Sequence, residues 1–174
     1  NYINVGGKEL YFPRGIWDAA TNAGKTSAMA GLHNNVEGAK TLFLLSKQDA
    51  FKQMVEYFST MYDVGQVRSG YVKFTDFTVA MAKTLYNRIA KKDMSVLQHI
   101  AKVNVLFVDE THEAGASDYS KLLQAIPAGM RIFVSGTPLD NDDPVNNLIT
   151  VGLSGKTLYK ITNKDLIGMG VSLN

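Results

Sequence analysis

The chain has 174 residues, 45% of them apolar, and 18 Lys and Arg against 16 Asp and Glu give a formal charge of +2. That length buries one sizeable core and suits a single domain over residues 1–174, and so mild a charge excludes histone-like binding, which leaves any nucleic-acid contact local. The lack of cysteine excludes a disulfide framework and a thiolate zinc site, and no apolar run approaches the roughly 20 residues of a membrane span or the layout of a signal peptide. The cytoplasm is therefore the expected location and no membrane partner is expected.

Short apolar runs alternate along the chain with longer amphipathic stretches, without a repeat or a linker-like tract. Strands are predicted at 15–19, 41–46, 64–68, 77–82, 103–109 and 131–135, and helices at 25–32, 48–61, 83–90, 95–103 and 119–125. Several of the strands are continuous apolar runs, as strands covered on both faces must be. The fold class that follows is α/β, a mostly parallel sheet with helices on both faces. Ligands of such sheets gather beyond the carboxyl ends of the strands, so chemistry is expected just after each strand.

The run 15–19 leads into Ala19-Ala20-Thr21-Asn22-Ala23-Gly24-Lys25-Thr26, within which a helix begins. This has the form of a phosphate-binding loop. Backbone N–H groups at the helix start, from Thr21, Asn22, Ala23 and Gly24 onward, point at phosphates; Lys25 supplies a cation, and the Thr26 hydroxyl can ligate magnesium. Ala19 stands where the general pattern has Gly, and Asn22 takes a place often held by Gly; Asn tolerates positive φ, so the turn survives.

The apolar run Val105-Leu106-Phe107-Val108 then delivers two adjacent carboxylates, Asp109 and Glu110, followed by Thr111 and His112. Neighbouring residues on an extended chain point opposite ways, so Asp109 can face a magnesium ion while Glu110 faces an attacking water. His112, with His33 and His99 far off in sequence, is a poor metal ligand, because magnesium prefers oxygen and no His or Cys cluster accompanies it. Behind the run 131–135 come Ser135-Gly136-Thr137-Pro138, whose small hydroxyl side chains can reach across to the acidic strand.

A phosphate loop, Asp-Glu-Thr-His and Ser-Gly-Thr-Pro in that order resemble motifs I, II and III of superfamily 2 (DEAD/DEAH-box-like) helicases, and the resemblance runs from about Gly15 to Val171. It implies a RecA-like P-loop NTPase fold, ATP and Mg2+ as cofactors, Lys25 and Glu110 as catalytic residues, and Asp109 with Thr26 on the metal. It also implies that His112 links the nucleotide to Ser135 and Thr137. Gly136 departs from the commoner Ala of the third motif without altering the hydroxyls. Weaker likenesses fall at motif Ia (41–46 with Lys47), Ib (67–70) and Ic (79–84), and they imply nucleic-acid contacts at Ser46, Lys47, Gly70, Lys83 and Thr84. Lys91, Lys92 and Arg88 read instead as a solvated helix face.

Among relatives the chain looks most like phage helicases and the restriction and repair translocases, which favours DNA over RNA as partner. No Gln-bearing adenine-reading segment stands before Gly15, and no second RecA-like domain with arginine fingers follows, so the chain is expected to be a fragment whose other motor half is a partner from the same parent chain. Two other readings remain open at this point: another P-loop enzyme such as a nucleotide kinase, which would need an Arg-rich lid, and a nucleotide-dependent binding module without turnover, in which Glu110 would have no use.

Overall fold

A computed structural model describes residues 2–5, 8–11, 14–20, 23–109, 117–136 and 144–168. Its centre is an eight-stranded sheet. In chain order the strands are β3 (Arg14–Ala19), β4 (Thr41–Leu45), β5 (Val64–Arg68), β6 (Tyr71–Lys73), β7 (Phe77–Met81), β8 (Val105–Asp109), β9 (Met130–Ser135) and β10 (Thr157–Ile161), arranged β10-β3-β9-β8-β4-β7-β5-β6. All neighbours are parallel except β6, which pairs antiparallel with β5. Ahead of the sheet, β1 (Tyr2–Val5) and β2 (Lys8–Tyr11) form a separate antiparallel pair.

The apolar runs form strands because both faces are covered. In β4 all five residues are buried. Leu42 and Leu44 join one core with Leu85, Val96 and Leu122, from α3 (Ala82–Ala90), α4 (Met94–Ile100) and α5 (Ser117–Ala125). Phe43 and Leu45 join the other with Met29, Phe51 and Phe58, from α1 (Lys25–Asn35) and α2 (Gln48–Ser59). This alternation is the period-two rule of an extended chain applied to a sheet with two dry faces. The expected fold class is the one observed.

Three expected boundaries move for local reasons. Ala82, expected to end a strand, is the first residue of α3, after Met81 as an extended N-cap. The helix expected to reach 103 ends at Ile100, and the strand expected from 103 starts at Val105. Between them Asn104 accepts from the Lys40 N–H at 2.8 Å and donates to the Gly38 carbonyl at 3.0 Å, so its side chain ties the entry of β8 to the entry of β4.

Elements outside the sequence reading are β1, β2, β6, β10, α6 (Pro144–Ser154) and α7 (Asn163–Gly168). β6 is three residues long, and β10 is exposed at four of its five positions, so neither carries a buried apolar run. Arg131, in β9, is 7% exposed, and it donates to the carbonyls of Ala128 at 3.1 Å, Leu123 at 3.0 Å and Ile126. The guanidinium thereby ties the last turn of α5 to the loop that leads into β9. Burial, and secondarily Arg14, push its pKa below the ordinary guanidinium value.

Candidate nucleotide-binding site and the strand-end rim

The strand ends come into register along one rim. Asp18 of β3 lies level with Ser135 of β9, Asp109 of β8 with Val134, and Leu45 of β4 with Met81 of β7. The described residues that end β3, β9, β8, β4 and β7 therefore lie along one edge of the sheet, where such sheets bind ligands.

At the end of β3 the chain turns into α1. Gly24 is the N-cap, with φ 76° and ψ 18°, a left-handed conformation that glycine adopts at no steric cost, and no side chain caps the helix. The first N–H groups of an 11-residue helix thus face outward with the positive end of the helix dipole behind them, an arrangement suited to a phosphate. Lys25 is half-buried, and its ammonium donates to the carbonyls of Ala19 at 2.7 Å and Ala20 at 2.9 Å, which folds it back across the loop. Among the described residues the Thr26 hydroxyl meets the Met54 sulfur at 4.0 Å, a contact weak enough to be exchanged for a metal. Ala23 is held by its N–H to the Ala20 carbonyl at 3.2 Å. Thr21 and Asn22 lie outside the described residues.

Asp109 is half-buried at the last position of β8, two strands from β3, with β9 between them. Ser135 is 5% exposed and ends β9. The structure therefore brings Gly24, Lys25, Thr26, Asp109 and Ser135 to one stretch of the rim. Glu110, His112 and Thr137 lie outside the described residues. Among the described residues no group of three or more His, Asp or Glu side chains is placed to hold a metal.

A neighbour of this loop was not foreseen. Asp18, its side chain 14% exposed, pairs with Lys160 of β10 at 2.7 Å. Both line a cavity of about 540 Å³ with Ala20, Gly136 and Thr162. The sequence signal was an acidic residue inside an apolar strand, but its partner sits on a strand the hydrophobic pattern does not reveal.

Further along the rim Ser46 follows β4 and Lys83 stands second in α3, and the two line one cavity of about 320 Å³ with Tyr86, Asn87 and Asp118. The Ser46 hydroxyl is buried without a hydrogen-bond partner among the described residues. The hydrogen bond between Tyr86 and Asp118 leads the causes that hold the Tyr86 phenol above its usual pKa. Lys47 is the exposed N-cap of α2, Lys83 is exposed and Thr84 half-buried. Gly70, at φ 72°, sits apart from these in the β5–β6 turn near the far edge of the sheet. Arg88 pairs with Asp93 at 2.7 Å, so its charge is engaged within the fold. No described helix is long and apolar enough to cross a membrane.

Residues 9–140 match the family described as type III restriction enzyme, res subunit. A search of curated proteins finds no match. Among solved structures, the chain is similar to the Hef helicase domain of Pyrococcus furiosus, with a TM-score of 0.70 at 17% identity over 89% of this chain and 36% of that one. It is also similar to a nuclease-deletion mutant of LlaGI, a type ISP restriction-modification enzyme in complex with a DNA substrate mimic, with a TM-score of 0.67 at 14% identity over 92% of this chain and 19% of that one. The UvsW helicase of bacteriophage T4 gives a TM-score of 0.60 at 17% identity, over 91% of this chain and 64% of that one. At such identities the likeness is one of fold alone. The chain spans 19 to 64% of the length of these structures.

Proposed function

Since the chain belongs to the family of the type III restriction enzyme res subunit, we propose that residues 1–174 are one ATP-binding and hydrolysing domain of a longer DNA helicase or translocase, working with a second RecA-like domain of the same parent chain. The observation that carries this reading is the loop after β3. There an uncapped helix start, a left-handed Gly24 and a lysine ammonium converge at the end of a parallel sheet, two strands from the carboxylate that ends β8.

In this reading the N–H groups after Gly24 and the Lys25 ammonium hold the β- and γ-phosphates. To do so Lys25 leaves the carbonyls of Ala19 and Ala20 that it now contacts. Thr26 and Asp109 are the oxygen ligands for magnesium, which when bound neutralises phosphate charge. Glu110 orients and deprotonates the attacking water, and His112, Ser135 and Thr137 couple the nucleotide to the neighbouring strand. Nucleic acid lies across Ser46, Lys47, Lys83 and Thr84, reaching Gly70, and is held by its phosphates more than by its bases. The cytoplasm is the compartment that suits this work.

The test separates binding from chemistry at the paired carboxylates in the longer protein. Glu110→Gln is expected to retain nucleotide while turnover stops, and Asp109→Asn to lose the magnesium-dependent part of binding. Wild-type turnover in Glu110→Gln would remove that residue from the catalytic role.

A further inference from the structure

On the far flank of the sheet, α2 and β5 enclose a groove of about 360 Å³. The β5–β6 hairpin turns through Ser69 and Gly70, so Arg68 and Tyr71 stand opposite each other across the two strands. Opposed residues project to the same face. Val67 is buried in the core on the α3 side, and Val72 packs against that same core. Arg68 and Tyr71 therefore point the other way, toward α2, and the Arg68 guanidinium sits 5.0 Å from the centroid of the Tyr71 ring. Tyr71 is 40% exposed. Among the described residues Arg68 forms no ion pair, so its charge faces outward.

The floor of the groove is apolar, made by Phe51 and Val55 of α2, and its walls are Gln48, Lys52, Gln66 and Arg68. Along α2 the charges alternate. Lys47, Asp49 and Lys52 lie at the end nearer the rim, with Lys52 3.9 Å from Asp49, and Glu56 lies a turn further down in the same groove. Two cations against one carboxylate favour anionic phosphate at the first end over the second, while a flat apolar group with a polar edge suits the space between. The Gln48 and Gln66 amides both donate and accept, so they suit the edge of any base.

We propose that one unpaired nucleobase seats at the edge of this groove, stacked on the Arg68–Tyr71 pair beside it, with its phosphate beside Lys47 and Lys52, and that the chain consequently favours single strands over duplex. This rests on the reading that nucleic acid crosses the rim. Stacking accepts every base because each has a π-face, and a guanidinium beside the ring strengthens it. In a duplex both faces of each interior base are already stacked, so the groove has nothing to take in.

The experiment uses the 174-residue chain with oligothymidylate strands carrying one 2-aminopurine, as deoxy and ribo versions, each single-stranded and as a duplex. Single strands are expected to bind more tightly than duplexes, with a change in 2-aminopurine emission, and the deoxy and ribo arms tell which strand is preferred. Tyr71→Ala is expected to weaken single-strand binding by at least about fivefold and to lose the emission change. The same variant leaves duplex binding alone, while Tyr71→Phe keeps the wild-type behaviour. Matching melting temperatures of the two variants exclude a folding effect. If Tyr71→Ala binds single strands as well as the wild type while Lys83→Ala is impaired on both strands, the rim reading stands and the groove assignment falls. If the wild type binds neither strand, the rim reading itself falls and takes this inference with it.

Discussion

The two flanks of the sheet present different kinds of surface. On the flank of β3, β9 and β8 the rim side chains are partly or wholly buried and engaged: Lys25 on two carbonyls, Asp18 with Lys160, Ser135 at 5% exposure. On the flank of β4, β7 and β5, Lys47, Arg68 and Lys83 are exposed. A small ligand of fixed shape is gripped by groups set at fixed distances. A long polyanion that slides is met by solvated cations that hold it anywhere along its length. In the proposed reading, one sheet thus offers a nucleotide site on one side and a nucleic-acid track on the other.

The largest expected effect tests whether the flanks are one cooperative unit. Arg131→Met removes a buried cation that closes α5 beneath β9 and leaves its carbonyls unsatisfied, at a cost of about 3 kcal/mol. A single thermal transition shifted to lower temperature is expected; two separate transitions would break the picture of one sheet with two uses. Next in size is the nucleotide flank itself. Mg-ATP at a hundredfold excess over its dissociation constant should stabilise the chain by ~2.7 kcal/mol. Lys25→Ala should abolish that shift in a melting experiment, and an equal shift in the variant would place the nucleotide elsewhere.

Smaller again is the response of the track. Lys83→Ala should lower the slope of log affinity against log salt by roughly 0.7 to 0.9, measured by fluorescence anisotropy, while nucleotide binding stays unchanged. A variant with the wild-type slope would take Lys83 off the nucleic-acid path.

The smallest effect comes from one histidine on each side. His33 of α1 and His99 of α4 both have pKa values pushed below 6.5, in each case mainly by burial. The folded state binds their protons less readily than the unfolded chain does. Stability is therefore full above about pH 6.5 and declines as pH falls from there toward the lower folded values. His99 stacks on Phe74 at 4.1 Å, and its Nε2 is buried without a partner among the described residues. His99→Phe keeps the stack and should flatten part of the acid loss in melting curves from pH 7.5 to 5.5, leaving the share of His33. An unchanged pH profile would discount His99.

The same contrast explains what the sequence made legible. The nucleotide flank is written in residue identities at fixed spacing, Gly24-Lys25-Thr26 and Asp109-Glu110, because phosphate and metal chemistry tolerate few substitutes. The six expected strands were legible too, since several of them, β4 and β8 above all, are largely apolar runs. The track was legible only by position: a lysine near a helix start has no distinctive pattern. β6 and β10 escaped because short or exposed edge strands carry no period of their own. With them went the partners they hold, Tyr71 opposite Arg68 and Lys160 against Asp18.

The posture of Lys25 bears on how selective the loop can be. Its ammonium already has two carbonyl acceptors at 2.7 and 2.9 Å, so an incoming anion exchanges contacts instead of adding them. A lone phosphate or sulfate recovers little from that exchange. A polyphosphate, which also meets the helix N–H groups, recovers more. Under the proposed nucleotide reading, the loop would therefore favour polyphosphates over a lone phosphate before any group reads the base.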